Sequence, residues 1–261
     1  MTDPSLDGLF ERMVLEKASD LHWCEGEAPC LRVHGRIRRL GFPSALANDS
    51  FADLTERLIG REGLAVFRSR REFDGADTTV DNRRIRINVY FKLNRIAWAI
   101  RLLPNRFFEF EELGLPIPLL EEICAMKQGL VLVTGATGSD KTTTLASILD
   151  RINKTREEHL FTIEDPVEYL HVSAKCLVSQ REVGHDTESF HNALRAVLRE
   201  DPDIVLLGEM RDRTSMDAAL TLAETGHLTF ATLHTSGAAE SVPPAAYGLF
   251  TASGDSGPSR K

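Results

Sequence analysis

The first hundred residues show short helical and strand patterns. In the segments RRIRINVYF and RIAWAIRLL every second residue is apolar, which predicts two antiparallel strands that share one buried face. Apolar residues at helical spacing predict helices at 5–18 and 50–60, and two short strands lie between them, DLHWC and LRVHGRIRRL, the second bent at Gly35. These patterns predict a small α+β domain over residues 1–103.

The second half carries continuous apolar runs. GLVLVTG, HLFTI, DIVLL and HLTFATL are typical of strands that are buried on both faces of a parallel sheet. A helix is predicted at about 142–152. A second, core-facing helix is predicted from the stripe Phe190, Ala193, Leu194, Val197 and Leu198. The alternation of strands and helices predicts a parallel α/β domain over residues 118–241.

Two segments lack a hydrophobic period. PNRFFEFEELGLPIP carries three prolines, and we predict that residues 104–117 form a linker. The segment from residue 236 onwards is mostly Gly, Ala, Ser and Pro. Such a composition buries too little apolar surface to offset the entropy of ordering the chain. Residues 242–261 are therefore predicted to be an aberrant, disordered tail.

Charge and composition exclude several classes of function. The 261 residues carry a formal net charge of −8, whereas a nucleic-acid-binding surface needs a basic stripe. No apolar run approaches the length of a membrane span, and the sequence MTDPSLDGLF lacks the features of a signal peptide. We therefore expect a cytoplasmic protein with no nucleic-acid partner and no direct membrane insertion. The four cysteines form no C-x-x-C pair, which indicates free thiols.

The segment GATGSDKTTT, residues 135–144, nearly matches the phosphate-binding loop G-x-x-x-x-G-K-[ST]. It follows a predicted strand and begins a predicted helix, as such a loop requires, because backbone N–H groups at a helix N-terminus bind phosphate. Lys141 would bridge the outer phosphates, and the Thr142 hydroxyl would hold Mg²⁺. The predicted nucleotide-binding residues of the loop are Gly135, Gly138, Ser139, Lys141, Thr142 and Thr143.

Two acidic motifs follow predicted strands. In FTIEDPVEYLH, carboxylates at Glu164, Asp165 and Glu168 could position a metal or activate water, or could simply favour the start of a helix. In DPDIVLLGEMRD, an apolar strand ends in Glu209, like a Walker B element whose acidic residue reaches the Mg²⁺ shell or its water.

A third motif, ETGHLTFATLHT, places His227 and His234 at the two ends of an apolar strand. Their spacing does not match a zinc site. A structural role, phosphate sensing and contact with a neighbouring subunit all remain open for the pair.

The order and the residues of these motifs resemble those of the secretion-type ATPases, and among them those of the type IV pilus retraction ATPases of twitching motility. The resemblance runs from about residue 5 to 241 and includes the segments TIEDPVEYLH, REDPDIVLLGEMRD, AETGHLTFATLHT and QREVG. It implies an α/β fold: a PAS-like N-terminal α+β domain, then a RecA-like P-loop domain with a mostly parallel sheet. By this resemblance we expect the helical C-terminal part of the family to be missing.

The same resemblance implies a hexameric motor that uses ATP and Mg²⁺ to remove pilin at the inner membrane. Glu168 would be the general base, and Glu209 would support Mg²⁺ and the attacking water. Arg86 and Arg101 would reach the nucleotide of the adjacent subunit. They fall on the opposite face of their strands from the apolar residues, although an ordinary solvated sheet face would look the same. His227 and His234 would contact nucleotide. The expected partners are a homo-hexamer, or a mixed hexamer with a paralogous ATPase, and an inner-membrane platform protein, so the chain would be peripheral to that membrane.

The sequence departs from the family at Asp140, where the family has glycine. A carboxylate about 4 Å from a phosphate, at an effective dielectric near 20, costs roughly 4 kcal/mol. That penalty weakens binding by about three decades. We therefore expect poor MgATP binding and little or no hydrolysis.

The second departure is the tail VPPAAYGLFTASGDSGPSRK, for which a frameshift is one hypothesis. The adjacent genomic reading frames would test it. Alternative interpretations are a non-catalytic subunit in a hexamer with an intact paralogue, a pilus-assembly or secretion ATPase, or an inactive remnant that does not fold stably. Assembly ATPases often carry a four-cysteine zinc module, which the cysteines here do not offer.

Overall fold

The computed structural model describes residues 6–41, 51–81, 83–104, 106–135, 139–210 and 212–233. Two compact units divide the chain, Met1–Asn105 and Arg106–Lys261. No helix among the described residues is long and apolar enough to cross a membrane. The predicted tail lies outside the described residues.

The first unit is an antiparallel sheet with helices on one face. Its six strands are ordered β3-β2-β1-β6-β5-β4, and every neighbouring pair is antiparallel. In chain order the elements are α1 (Leu6–Leu15), β1 (Ala18–Cys24), β2 (Cys30–Val33), β3 (Arg36–Arg39), α2 (Phe51–Arg70), β4 (Glu72–Thr78), β5 (Arg84–Lys92) and β6 (Arg95–Leu102).

The core of this unit lies between the sheet and the two helices. The alternating apolar residues Ile85, Ile87 and Val89 are buried, as their two-residue period predicts. Trp98 is fully buried, and its indole Nε1–H donates a hydrogen bond to Thr55 Oγ1 on α2, at 3.1 Å. The polar atom of the largest core side chain is therefore satisfied inside the core.

Three predictions in this unit need correction. LRVHGRIRRL is a hairpin of two strands, because His34 and Gly35 both have positive φ and reverse the chain. The helix predicted at 50–60 continues to Arg70 across a break at Gly60. Strand β4 was not predicted, because its sequence EFDGADT carries charges where the alternation would show.

The second unit is a parallel sheet covered by helices. Its strands are ordered β7-β11-β10-β8-β9, and every neighbouring pair is parallel. The elements are a 3₁₀ helix (Phe110–Glu112), α3 (Ile117–Ala125), β7 (Gly129–Thr134), α4 (Lys141–Thr155), β8 (His159–Glu164), β9 (Leu177–Glu182), α5 (Phe190–Val197), β10 (Ile204–Leu207), α6 (Arg213–Glu224) and β11 (Leu228–Leu233).

Two apolar clusters flank this sheet. Helices α3 and α4 contribute to one cluster, and α5 and α6 contribute to the other. Two of the interior strands, β10 and β11, are buried along their whole length. Because the faces are covered by helices, the carboxyl edge of the sheet is the place where loops can form a ligand site.

Part of the segment that we predicted as a linker packs within the second unit. Phe110 is buried, and the backbone N–H of Phe108 donates to Ser147 Oγ on α4, at 3.1 Å. Sequence patterns also missed α3, β9 and α6. Strand β9, LVSQRE, is polar because it lies at the edge of the sheet.

Candidate functional site

The predicted site residues of the second unit follow three strands of the parallel sheet. The phosphate loop follows β7, Glu164 ends β8, and Glu209 follows β10. Strand β11 separates β7 from β10, and β10 pairs directly with β8. Since all these strands run in the same direction, their carboxyl ends meet at one edge, and the fold brings the three motifs together there.

The two described ends of the phosphate loop, Gly135 and Ser139, lie close to each other and to Lys141 at the start of α4. A Cβ atom at Gly135 would lie 2.5 Å from Ser139 Oγ, so a larger residue there would displace the Ser139 side chain. Lys141 is 7% exposed, and its Nζ donates to the carbonyl oxygen of Gly135 at 2.8 Å. The predicted residue Gly138 lies outside the described residues.

Burial lowers the pKa of Lys141, and the negative charge of Glu209 opposes that shift. The ammonium and the Glu209 carboxylate therefore lie within electrostatic range of each other at the carboxyl edge. Lys141 is also the first residue of α4, and the helix dipole at a helix N-terminus favours an anion. The combination of a buried ammonium and a helix N-terminus is suited to a phosphate group.

Asp140 occupies the left-handed region, with φ 56° and ψ 27°, directly before α4. Its carboxylate makes no capping hydrogen bond, and its side chain is exposed. The left-handed conformation costs most non-glycine residues roughly 1–2 kcal/mol, and aspartate tolerates it better than most. The position thus favours glycine through its backbone, independently of the charge.

Two threonines follow Lys141 in the first turn of α4. Thr142 and Thr143 are both half-buried. Thr143 Oγ1 accepts a hydrogen bond from the Tyr169 hydroxyl at 3.1 Å. The phosphate-loop helix is thereby bonded to the loop that follows β8.

Gly208 places Glu209 at the carboxyl edge. Its N–H donates to the carbonyl oxygen of Ile163 at 2.9 Å, and a Cβ atom at Gly208 would lie 3.2 Å from that oxygen. The next residue after Glu209, Met210, donates its N–H to the Thr232 carbonyl at 3.1 Å. The Glu209 backbone is therefore held between strands β8 and β11.

Glu164 is a buried carboxyl, 7% exposed, at the end of β8. Burial raises its pKa to about 7, although Thr162 Oγ1 and Gln180 Nε2 both donate to its Oε1, at 2.7 and 3.3 Å. Glu168, four residues on, is half-buried in the following loop. Of the two glutamates, Glu168 is the one that solvent can reach.

The Glu164→Gln variant is expected to be more stable than the parent protein at pH 8 and about equally stable at pH 4. The raised pKa means that ionisation of Glu164 opposes folding: the penalty is absent below its ordinary pKa of 4.5, grows as the pH rises, and is complete above about 7. Linkage gives an upper bound of about 3 kcal/mol for the gain. Urea unfolding of both proteins at the two pH values measures it. An equal difference at both pH values would contradict the assignment.

His227 lies at the amino end of β11, away from the phosphate loop of the same sheet, and its contact with nucleotide stays a prediction. It precedes β11, and its carbonyl oxygen accepts from the N–H of Gly129 at the start of β7. The phosphate loop follows the other end of β7, one strand length away. The Nδ1 atom of His227 lies 3.0 Å from both Leu222 O and Thr225 Oγ1, which is a structural role. His234 lies outside the described residues.

Arg86 and Arg101 lie in the first unit, directly opposite each other on β5 and β6. Arg86 forms a two-pronged ion pair with Asp74, with its shorter contact at 2.6 Å. Arg101 Nε donates to Asp20 Oδ1 at 2.8 Å. The guanidinium group of Arg101 keeps the pKa of Asp20 below its usual value despite burial of that carboxyl. Both arginines are on the polar face of the sheet, as their strand positions predict.

Sequence reasoning missed the side chains that support the loop after β8. Gln180 and Glu182 of β9 both hydrogen-bond this loop. The only signal was the segment QREVG, which has no apolar period. Among the described residues, no group of three or more His, Cys, Asp or Glu side chains could hold a metal ion. That finding is compatible with Mg²⁺, which proteins commonly bind through one or two side chains together with substrate phosphates.

Known proteins resemble this chain in sequence. The type II/IV secretion system protein family matches residues 5–243. The type IV pilus retractation ATPase PilT of Pseudomonas aeruginosa is 46% identical over 226 residues, which cover 86% of this chain and 65% of that protein. A twitching motility protein of Neisseria gonorrhoeae is 42% identical over 82% of this chain and 57% of its own length. The uncharacterized protein YggR of Escherichia coli is 42% identical over 91% of this chain and 72% of its own length.

Solved structures share the fold. The pilus retraction motor PilT with bound ADP superposes with a TM-score of 0.82 at 42% identity, covering 88% of this chain and 67% of the other. The Legionella pneumophila ATPase DotB superposes with a TM-score of 0.74 at 30% identity, covering 92% and 68%. These likenesses confirm the predicted α/β fold with a mostly parallel sheet. The chain spans about two thirds of the length of these proteins, and it belongs to the type II/IV secretion system protein family.

Proposed function

We propose that this chain is the part of a type IV pilus retraction ATPase that binds MgATP and supplies the residues for its hydrolysis. The observation that carries the proposal is the pair of Lys141 and Glu209 at the carboxyl edge of the parallel sheet, where burial lowers the pKa of the ammonium and the Glu209 charge opposes that shift. The likeness to the retraction ATPase of P. aeruginosa and to the ADP-bound retraction motor supports the choice of reaction.

The nucleotide would bind at the N-terminus of α4. Lys141 would exchange its bond to the Gly135 carbonyl for the outer phosphates, and N–H groups of residues 139–143 would bind phosphate oxygens. Thr142 and Glu209 would hold Mg²⁺, Glu209 through water. The metal would neutralise charge on the transferring phosphoryl group.

Glu168 would accept the proton of the attacking water, since it is the more accessible of the two glutamates after β8. Arg86 and Arg101 would act on the nucleotide of an adjacent subunit in a hexamer, and would then exchange Asp74 and Asp20 for phosphate. Such arginines stabilise charge in the transition state of phosphoryl transfer.

Asp140 would weaken nucleotide binding in this chain, because its carboxylate lies immediately before the lysine that meets the phosphates. We propose a cytoplasmic location, peripheral to the inner membrane through a platform protein of the pilus machinery. The ring would be a homo-hexamer or a mixed hexamer with an intact paralogue.

The second candidate function is a non-catalytic subunit of such a mixed ring. Asp140 favours it, because the substitution affects the phosphate loop while Arg86 and Arg101 remain in place on the first unit. Co-purification with an intact ATPase, together with failure of Asp140→Gly to produce activity, would favour this candidate. The inactive-remnant alternative requires a chain that does not fold cooperatively, which urea unfolding would detect.

The proposed site is tested with Lys141→Ala in the Asp140→Gly variant. Loss of a charge-assisted contact to phosphate is expected to weaken MgATP binding by about tenfold to a hundredfold, as measured by calorimetric titration. Lys127→Ala is the matched control, because Lys127 precedes β7, at the opposite edge from the phosphate loop, and pairs with Glu158. Equal affinities of the two lysine variants would overturn the proposed site.

A further inference from the structure

Strand β9 supports the loop that follows β8. It is the edge strand of the parallel sheet and pairs only with β8 among the described strands. Its residues Gln180 and Glu182 lie two positions apart, so they share one face of the strand. Both side chains hydrogen-bond the segment 167–171, which contains Glu168.

Gln180 makes three hydrogen bonds at this place. Its Oε1 accepts from the backbone N–H of His171 at 2.7 Å, and its Nε2 donates to the carbonyl oxygen of Tyr169 at 2.9 Å. The same Nε2 donates to Glu164 Oε1 at 3.3 Å. One amide side chain therefore bonds the loop backbone twice and the buried carboxyl at the end of β8 once.

Glu182 holds the other end of the segment. It is buried, and its Oε2 accepts from the backbone N–H of Val167 at 3.0 Å. Glu182 itself is positioned by its own N–H, which donates to Asp186 Oδ2 at 2.8 Å. The bond to Val167 is made one residue before Glu168, and Gln180 bonds the backbone on the other side of it.

The same segment also contacts the phosphate-loop helix. Tyr169 donates to Thr143 Oγ1, and Phe107 stacks on both Tyr169 and His171, with ring centroids 5.6 and 4.7 Å apart. The Glu168 backbone is thus fixed from β9 on one side and from α4 on the other. A glutamate held at both flanking peptides has little freedom except in its own side chain.

We propose that Gln180 and Glu182 are positioning residues for the hydrolysis step: through Val167, Tyr169 and His171 they set the distance between Glu168 and the phosphate loop. The inference rests on the proposed function, in which Glu168 acts on the attacking water. It assigns a role to QREVG, a segment that the nucleotide site itself does not use. A displacement of about 1 Å at a catalytic group can reduce turnover by about a hundredfold.

The test compares variants of the full chain that also carry Asp140→Gly, by steady-state hydrolysis of MgATP. Gln180→Met and Glu182→Leu remove the bonds to the loop and are each expected to lower kcat by about tenfold or more, with KM changed less than about threefold. Glu182→Gln keeps an oxygen that can accept from Val167, and is expected to retain kcat within about threefold. Ser179→Ala is the control, because Ser179 Oγ lies 2.9 Å from His159 Nε2 on β8 and, among the described residues, forms no hydrogen bond with segment 167–171.

Hydrogen exchange at the amides of Val167 and His171 gives a readout that does not depend on activity. Exchange at His171 should accelerate in Gln180→Met and exchange at Val167 in Glu182→Leu, and neither should change in Ser179→Ala. Unchanged kcat in Gln180→Met and Glu182→Leu would overturn the positioning role, as would losses of kcat in Glu182→Gln and Ser179→Ala that are as large as those in Gln180→Met and Glu182→Leu. If the Asp140→Gly parent shows no hydrolysis, the proposed function fails, and unchanged amide exchange would show separately that β9 does not hold the loop.

Discussion

Replacing Asp140 with glycine is expected to raise the affinity of the chain for MgATP by about a thousandfold at low ionic strength. The carboxylate lies immediately before Lys141 at the start of α4, and one like-charge contact with phosphate at about 4 Å costs roughly 4 kcal/mol at an effective dielectric near 20. Because the side chain is exposed, salt will reduce the effect. Glycine also accepts the left-handed backbone at this position without strain.

The Asp140→Asn variant separates the effect of the negative charge on MgATP binding from the effect of the backbone conformation at this position. Asparagine has nearly the same shape and tolerates the left-handed region, so it removes only the negative charge. If repulsion is the cause, the asparagine and glycine variants should both bind MgATP far more tightly than the parent, and the difference should shrink as salt is raised. Calorimetric titration at two salt concentrations measures this. Micromolar affinity in the unmodified chain would contradict the predicted impairment.

Glu168→Gln, in the chain that carries Asp140→Gly, is expected to lower kcat by about a hundredfold to ten-thousandfold, with MgATP binding nearly unchanged. A glutamine cannot accept the proton of the attacking water, and general-base catalysis contributes roughly that factor. Single-turnover hydrolysis measures the chemical step, and equilibrium titration measures binding. Loss of binding in proportion to the loss of turnover would contradict a role confined to catalysis.

Glu164→Gln is the informative comparison, because Glu164 competes with Glu168 for the role of base. Its pKa of about 7 suits proton transfer, but its carboxyl is buried and accepts bonds from Thr162 and Gln180. Glutamine can keep both bonds through its amide oxygen, and we expect a loss of kcat below about tenfold. A loss that equals or exceeds that of Glu168→Gln would assign the base to Glu164.

Much of the fold follows from local patterns. Alternating apolar residues predict β5 and β6, and continuous apolar runs predict β7, β8, β10 and β11. A strand that is buried on one face has apolar residues at every second position, and a strand that is buried on both faces is apolar throughout. Strands β4 and β9 lie at sheet edges, where fewer of their residues are buried, so their apolar pattern is too weak to predict a strand. The hairpin at Gly35 was not predicted, because a glycine between two apolar segments is compatible both with a bend inside one strand and with a turn between two strands.

Some residues of the candidate site could likewise be predicted from the sequence, and others could not. Lys141 and Glu209 are recognisable because each belongs to a short motif that follows an apolar strand. The nucleotide contact of His227 rests on the family resemblance alone, because a strand pattern does not state which end of the strand faces a ligand. The contacts of Gln180 and Glu182 join residues 9 to 16 positions apart and depend on the pairing of β8 with β9.

The sequence by itself determined the α/β class, the secretion ATPase family, the phosphate loop and the aspartate that interrupts it, because these are encoded in contiguous residues. The tertiary structure alone decided that the charge of Glu209 acts on the Lys141 ammonium and that Glu164 is buried while Glu168 is accessible. It also decided that β9 hydrogen-bonds segment 167–171, which contains Glu168. Each of these depends on the order in which parallel strands assemble, and strand order is a property of long-range packing that no single segment records.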